Sequence, residues 1–205
     1  MFDLAILAVF IPTFFFVSIT PGMCMTLAMT LGMSIGVRRT MWMMIGELLG
    51  VALVAIAAVL GVASIMLNYP QAFSILKWAG GAYLVFIGIS MWRDKTKLNL
   101  ADQQKNKVSR KALFSQGLVT AIANPKGWAF MISLLPPFIN IDYAIAPQLS
   151  ILVAVILVSE FVCMMVYATG GKSLRLFLSR GDNIKWMNAI AGSLMILVGL
   201  WLAVG

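Results

Sequence analysis

The sequence predicts an all-α integral membrane protein: six transmembrane helices arranged as two inverted three-helix repeats, with helices 1 and 4 broken. Three observations predict it. Hydrophobic residues make up 61% of the 205-residue chain and charged residues 11%, and the mean hydropathy is +0.97. A soluble domain runs at about 45–50% apolar and about 25% charged, because its surface must be wetted. Apolar runs long enough to cross ~30 Å of hydrocarbon recur along the chain. The connections between those runs carry basic residues in strict alternation. This composition excludes a cytosolic enzyme and a disordered chain. The net charge of +8 then reports topology rather than nucleic-acid binding, since the basic stretch 93–111 has no interleaved aromatics.

The runs extend from about Leu4 to Ile35, Thr40 to Leu67, Ala72 to Trp92, Ala112 to Leu135, Ala144 to Ala168 and Asn188 to Val204. With their loops they use the whole chain, so a single membrane domain is expected. Its first repeat covers about 1–92, a basic linker 93–111, and the second repeat about 112–205. Met1-Phe2-Asp3 carries an acid where a secretory signal carries Lys or Arg, and the first run is read as a retained span. Arg38 and Arg39 follow span 1, seven Lys or Arg fall between Arg93 and Lys111, and Lys172, Arg175, Arg180 and Lys185 follow span 5. The connections around Asn68-Tyr69-Pro70 and from Pro136 to Pro147 have none. The positive-inside rule therefore places the loops after spans 1, 3 and 5 in the cytoplasm and both termini outside. The lipid bilayer, with its anionic inner leaflet, is the partner of this charge.

Two spans carry the same interruption. An unbroken helix from Leu4 to Ile35 would reach ~48 Å, and in its middle stands Ser18-Ile19-Thr20-Pro21-Gly22. Pro21 has no N–H, which frees the carbonyl of Val17. Thr20 is a good N-cap with Pro at the next position, so a second half-helix is expected to begin there. Span 4 repeats the pattern as Asn124-Pro125-Lys126-Gly127. Asn124 would cap, Pro125 would take the first helical position, and the carbonyl of Ala121 would be freed. Because the two spans enter from opposite sides, the breaks mark a substrate site at the interface of inverted repeats.

Four ionisable residues fall inside spans: Glu47, Lys77, Lys126 and Glu160. Each is expected to face a cavity or a partner, since a lipid-facing charge costs at least ~2.5–3.5 kcal/mol. Glu47 and Glu160 lie on corresponding spans of the two halves, and Lys77 and Lys126 are their candidate ion-pair partners. Together these groups suit a zwitterion. Half-helix starts at Thr20-Pro21-Gly22 and Asn124-Pro125 offer N–H groups and a positive dipole end to a carboxylate, and Lys126 adds a full charge. Glu47 or Glu160 would meet an ammonium group, and either can carry a proton. The substrate-binding set is Thr20, Pro21, Gly22, Glu47, Asn124, Pro125 and Lys126. The proton-coupling or ion-pair set is Glu47, Glu160 and Lys77.

A different use is open to Cys24, with Met25, Met29 and Met33 at four-residue spacing beside it. Thiol and thioether ligands suit Cu(I), so a membrane redox or metal-handling protein is the alternative reading. Met also fills gaps in any helix bundle, and the chain has no His. No metal, cofactor or catalytic residue is therefore expected. The small-residue pairs Gly32/Gly36 and Gly46/Gly50 suit internal packing, with a homodimer as their other use.

These residues resemble the LysE/RhtB family of bacterial amino-acid exporters over nearly the whole chain. The likeness is carried by Thr20-Pro21-Gly22 with Gly32, Gly36 and Arg38. It continues through Pro70, Phe73, Leu76-Lys77, Gly80-Gly81, Tyr83-Leu84, Gly88 and Arg93. It is most specific in Phe114, Gly117, Asn124-Pro125-Lys126, Phe130, Leu135-Pro136 and Phe138. Two positions depart from it: Met23 stands where the family usually has a second Pro, and Pro137 where it often has Gln. The resemblance implies a protein of the bacterial cytoplasmic membrane that exports amino acids against proton entry. The Met-rich, weakly charged surroundings favour a neutral small or apolar amino acid.

Overall fold

The computed structural model describes residues 4–68, 70–93, 109–140, 143–179 and 181–204, and among them every regular element is helical. The helices are α1 (Leu4–Ile19), α2 (Met23–Ile35), α3 (Val37–Asn68), α4 (Pro70–Arg93), α5 (Arg110–Ile122), α6 (Pro125–Leu134), α7 (Ile145–Ser179) and α8 (Gly181–Val204). A 3-10 turn, Pro136–Phe138, follows α6. Each apolar run of the sequence has become a helix or a broken pair of helices. Val37–Val62 within α3 and Ile145–Gly171 within α7 are each long and apolar enough to cross a membrane. The bent pair α1–α2 qualifies if taken as one span, with 56° between its halves. Most of the basic linker, residues 94–108, lies outside the described residues.

Glycine decides how closely the helices approach. A Cβ on Gly46 would collide with the carbonyl of Phe114, and one on Gly117 with the carbonyl of Met43. One on Gly50 would come within 2.6 Å of the Ala121 Cβ. The order of these contacts shows that α3 and α5 run parallel, backbone against backbone. Gly88 and Gly192 face each other across α4 and α8, and Gly199 faces the carbonyl of Gly81, so this pair is antiparallel. The Trp92 indole N–H donates to the Ala189 carbonyl at 2.9 Å across the same seam. Small residues give membrane helices the dispersion contact that replaces a hydrophobic driving force. Gly32 likewise packs on the backbone of Ala168 in α7.

Gly36 has a different role from its sequence partner Gly32. Nothing lies near it, and its φ of 81° ends α2 and turns the chain straight into α3. Gly171 (φ 42°, ψ −123°) puts a kink in α7 where the apolar span ends. An L side chain is strained in that region of φ, so glycine is required at both places. At the opposite end of the bundle, Gln148 of α7 is buried and folds the connection before α7 back onto it. Its amide donates to the carbonyls of Asn140 (2.8 Å) and Ala144 (3.1 Å) and accepts from the Asn140 N–H (2.9 Å).

Gly117→Val should lower the melting temperature of the detergent-solubilised protein, because the overpacked seam costs about 1–3 kcal/mol. Gly61→Ala, with nothing within 4 Å of the new methyl group, should be neutral or stabilising. Equal melting of the two variants would refute the backbone seam.

Candidate functional site at two helix breaks

At the first break the chain satisfies its own freed backbone. The Thr20 N–H donates to the Val17 carbonyl at 3.3 Å, and the Thr20 hydroxyl donates to the Phe16 carbonyl at 2.8 Å. The carbonyl of Ile19 accepts the Tyr167 hydroxyl of α7 at 2.8 Å. α2 then opens at Met23, with Gly22 in extended conformation at its N-cap. The Gly22 carbonyl accepts the N–H and hydroxyl of Thr26 at 2.9 and 2.7 Å. The expected cap at Thr20 is thus corrected: its hydroxyl closes α1 behind it, and the second half-helix starts three residues later. A threonine that bonds back to residue i−4 is unavailable to the N–H groups ahead of it.

The second break falls where the sequence predicts, with α6 starting at Pro125. Asn124 precedes α6, Pro125 is its first residue, and the Asn124 carbonyl accepts the Trp128 N–H at 3.2 Å. The freed Ala121 carbonyl takes the Asn124 N–H at 3.3 Å, and the Ile122 carbonyl takes the Trp128 indole N–H at 2.8 Å. A Cβ on Gly127 would lie 3.6 Å from the Asn124 carboxamide, in ordinary contact with it, so space alone does not require glycine there.

Between the breaks lies a cavity of about 310 Å³. Its polar wall is Ser18, Thr20, Cys24, Glu47, Asn124 and Glu160, with Gly22 and Gly127 at the two half-helix starts. Its apolar wall includes Phe14, Val17, Val51, Val54, Phe130 and Met131. Five of the predicted site residues, Thr20, Gly22, Glu47, Asn124 and Glu160, meet there. Pro21 shapes the break and does not line the cavity. The side chains of Pro125, Lys126 and Lys77 lie outside the described residues.

Glu47 is 1% exposed. Cys24 lines the same cavity, and Glu47 Oε2 has no hydrogen-bond partner among the described residues. A buried polar atom left unpartnered costs about 1–3 kcal/mol, or more for a charged group, so a partner for Oε2 would be favourable. Glu160 is held differently: the Ser18 hydroxyl, from the first break, donates to its Oε1 at 2.9 Å. Aromatic rings extend the wall, with Phe138 against Phe10 at 4.9 Å, Phe10 against Phe14 at 5.7 Å, and Phe14 against Phe130 at 6.1 Å between centroids.

Sequence reasoning passed over Ser18 and Tyr167. Ser18 stood in the interrupted stretch and Tyr167 was a lone phenol in an apolar run, which were the available signals. The methionines pack: Met25 and Met29 are buried with Cys163, Met164 and Tyr167 between α2 and α7, and Met33 lies against them. Both cysteines are free and buried.

A bundle of apolar helices whose interrupted helices enclose a polar, acid-bearing cavity has the architecture of a membrane translocator. Residues 15–205 match the family described as LysE type translocator, and the chain belongs to that family. It is 31% identical over 186 residues to the homoserine/homoserine lactone efflux protein of Salmonella typhimurium, covering 91% of this chain and 90% of that one. An uncharacterized membrane protein of Vibrio cholerae is 28% identical, with the same coverage of each. The leucine efflux protein of an Enterobacter species is 27% identical over 62% of this chain and 61% of its own. No solved structure matches. Family membership makes the protein a membrane transporter and not an enzyme.

Tyr167→Phe should destabilise the protein by about 1–3 kcal/mol, by stranding the Ile19 carbonyl at the first break. Tyr143→Phe, on an exposed ring, should leave thermal unfolding in detergent unchanged. Indistinguishable melting of both variants would mean that the tether does not hold the break.

Proposed function

We propose that the protein is a secondary active exporter that carries amino acids, neutral small or apolar ones in preference, out of the cytoplasm in exchange for protons. The observation that carries this reading is the buried Glu47 carboxylate, which lines a cavity between two half-helix starts and whose Oε2 has no hydrogen-bond partner among the described residues. The ammonium group of the substrate binds Glu47. Its carboxylate binds at the start of α2, where the first N–H groups of a helix have no partner within it; Gly22, Met23, Cys24 and Met25 border the cavity there. The Asn124 carboxamide completes the polar contacts, and Lys126 adds positive charge at the start of α6. Phe14, Val54, Phe130 and Met131 receive an uncharged side chain. Glu160, tied to Ser18, carries the proton, and Lys77 is a candidate ion-pair partner within the membrane.

The same proposal takes the six runs as spans in two inverted repeats. The packing supports it: span 1 lies on α7, the second span of the other half, and α5 of span 4 lies on α3. The parallel and antiparallel senses of the two glycine seams agree with it. Relatives named for homoserine and leucine efflux support a neutral amino acid. Protons as coupling ion, bacterial inner-membrane location and outward termini follow from the resemblance and the charge alternation.

In proteoliposomes, counterflow against a panel of amino acids should show uptake that responds to a proton gradient; uptake of none would overturn the proposal. Glu47→Gln and Asn124→Ala should each reduce efflux about 10- to 100-fold, as loss of a contact to a charged substrate predicts, with membrane levels unchanged. Wild-type rates in either would remove that residue from the site. Single cysteines placed at 136–147 should react with an impermeant reagent from outside and those at 95–107 should not. The reverse pattern would invert the orientation.

A further inference from the structure

A second cavity, of about 480 Å³, is lined by Arg38, Arg39, Trp42 and Arg110. It lies where α3 and α5, running parallel, both begin. The first turn of neither helix contains an acidic residue; α3 opens on Val37-Arg38-Arg39 and α5 on Arg110-Lys111. Cations at a helix start oppose the macrodipole, which favours anions there. Two such starts side by side, filled with arginines, are an arrangement that an anion relieves. The Arg110 guanidinium lies 5.5 Å from the centroid of the Trp42 ring, which holds the fork in place over the ring. Guanidinium groups match phosphate oxygens in pairs.

What the anion belongs to is indicated by the surface that leads away from the cavity. Trp42, Ile45, Leu49, Leu53, Ile56 and Leu60 are all exposed and follow at three- and four-residue spacing, forming one stripe along α3. A soluble anion has no use for that stripe; acyl chains do. An amphipathic tryptophan at the junction of charged and apolar surface is also the membrane-interface position of that side chain.

We propose that this cavity binds the phosphate of an anionic phospholipid headgroup, with the acyl chains lying along the exposed face of α3. Native mass spectrometry of the detergent-solubilised protein tests it, with phosphatidylglycerol, phosphatidylcholine and inorganic phosphate as probes. Wild type should retain phosphatidylglycerol in preference to phosphatidylcholine. The Arg38→Gln/Arg110→Gln variant should weaken that preference about fivefold for each arginine removed. Arg93→Gln, a cation outside the cavity, should leave it intact. Arg38→Gln alone, which keeps the Arg110–Trp42 contact, should show the single loss if the double variant does not fold. Equal retention of the two lipids, or an equal loss in Arg93→Gln, would overturn the proposal. Displacement of phosphatidylglycerol by an equal concentration of inorganic phosphate would overturn it in favour of a soluble anion.

Discussion

A peptide group freed from its helix inside a bilayer has no water to turn to, and everything distinctive in this structure answers to that constraint. Pro21 and Pro125 each remove a donor and interrupt a helical ladder. At the first break Thr20 supplies both its N–H and its hydroxyl to the end of α1. The remaining carbonyl, that of Ile19, recruits Tyr167 from a helix 148 residues away. At the second break Asn124 and Trp128 do the same work within a few residues of sequence. The carbonyls of Phe16, Val17 and Ile19 at the first break, and of Ala121 and Ile122 at the second, thus find partners on the outgoing side. The incoming side, a helix start with its N–H groups, is what faces the cavity. In the proposed function this asymmetry assigns the helix start to the negative end of the substrate and an acid to the other end.

Much of this was legible in the chain because it follows from local chemistry. Asn before Pro before Gly, in an apolar run, defines a break whose capping residue and first helical residue are set by backbone sterics. The structure places Asn124 immediately before α6 and Pro125 as its first residue. The first break was misread by two residues, with the N-cap at Gly22 rather than Thr20, because threonine serves two opposed roles with one hydroxyl. It can cap the helix ahead or bond to the carbonyl four residues behind, and the local sequence is the same for both. Gly22 next to Pro21 allowed the chain to choose the second. Ser18 and Tyr167 were beyond local reasoning altogether, since each acts through a partner on another helix. The methionines at 25, 29 and 33 show the reverse: a pattern that invites a chemical reading and turns out to be packing.

The glycines divide in the same way. Gly46 and Gly50 were readable as a close-approach pair, and α5 fills the space they leave. Gly32 and Gly36 have the same spacing, yet only Gly32 meets a neighbour. Gly36 is held by its positive φ, a property of the chain path that spacing does not encode.

The two kinds of contact also differ in what they permit. Along α3–α5 and α4–α8 backbones touch, and packed interiors of this sort shift between discrete arrangements rather than deform by degrees. The bent pair α1–α2 is joined to α7 partly by hydrogen bonds, Ser18 to Glu160 and Tyr167 to Ile19, which break and re-form by rotation of a side chain. The first of these bonds lies in the cavity wall, and it ends on an acid whose charge depends on its proton. In the proposed function, a change in occupancy of the cavity bears directly on the Ser18–Glu160 tether, both of whose residues line it. The scarcity of charge in the chain, 11% of its residues, leaves such an acid few partners to exchange.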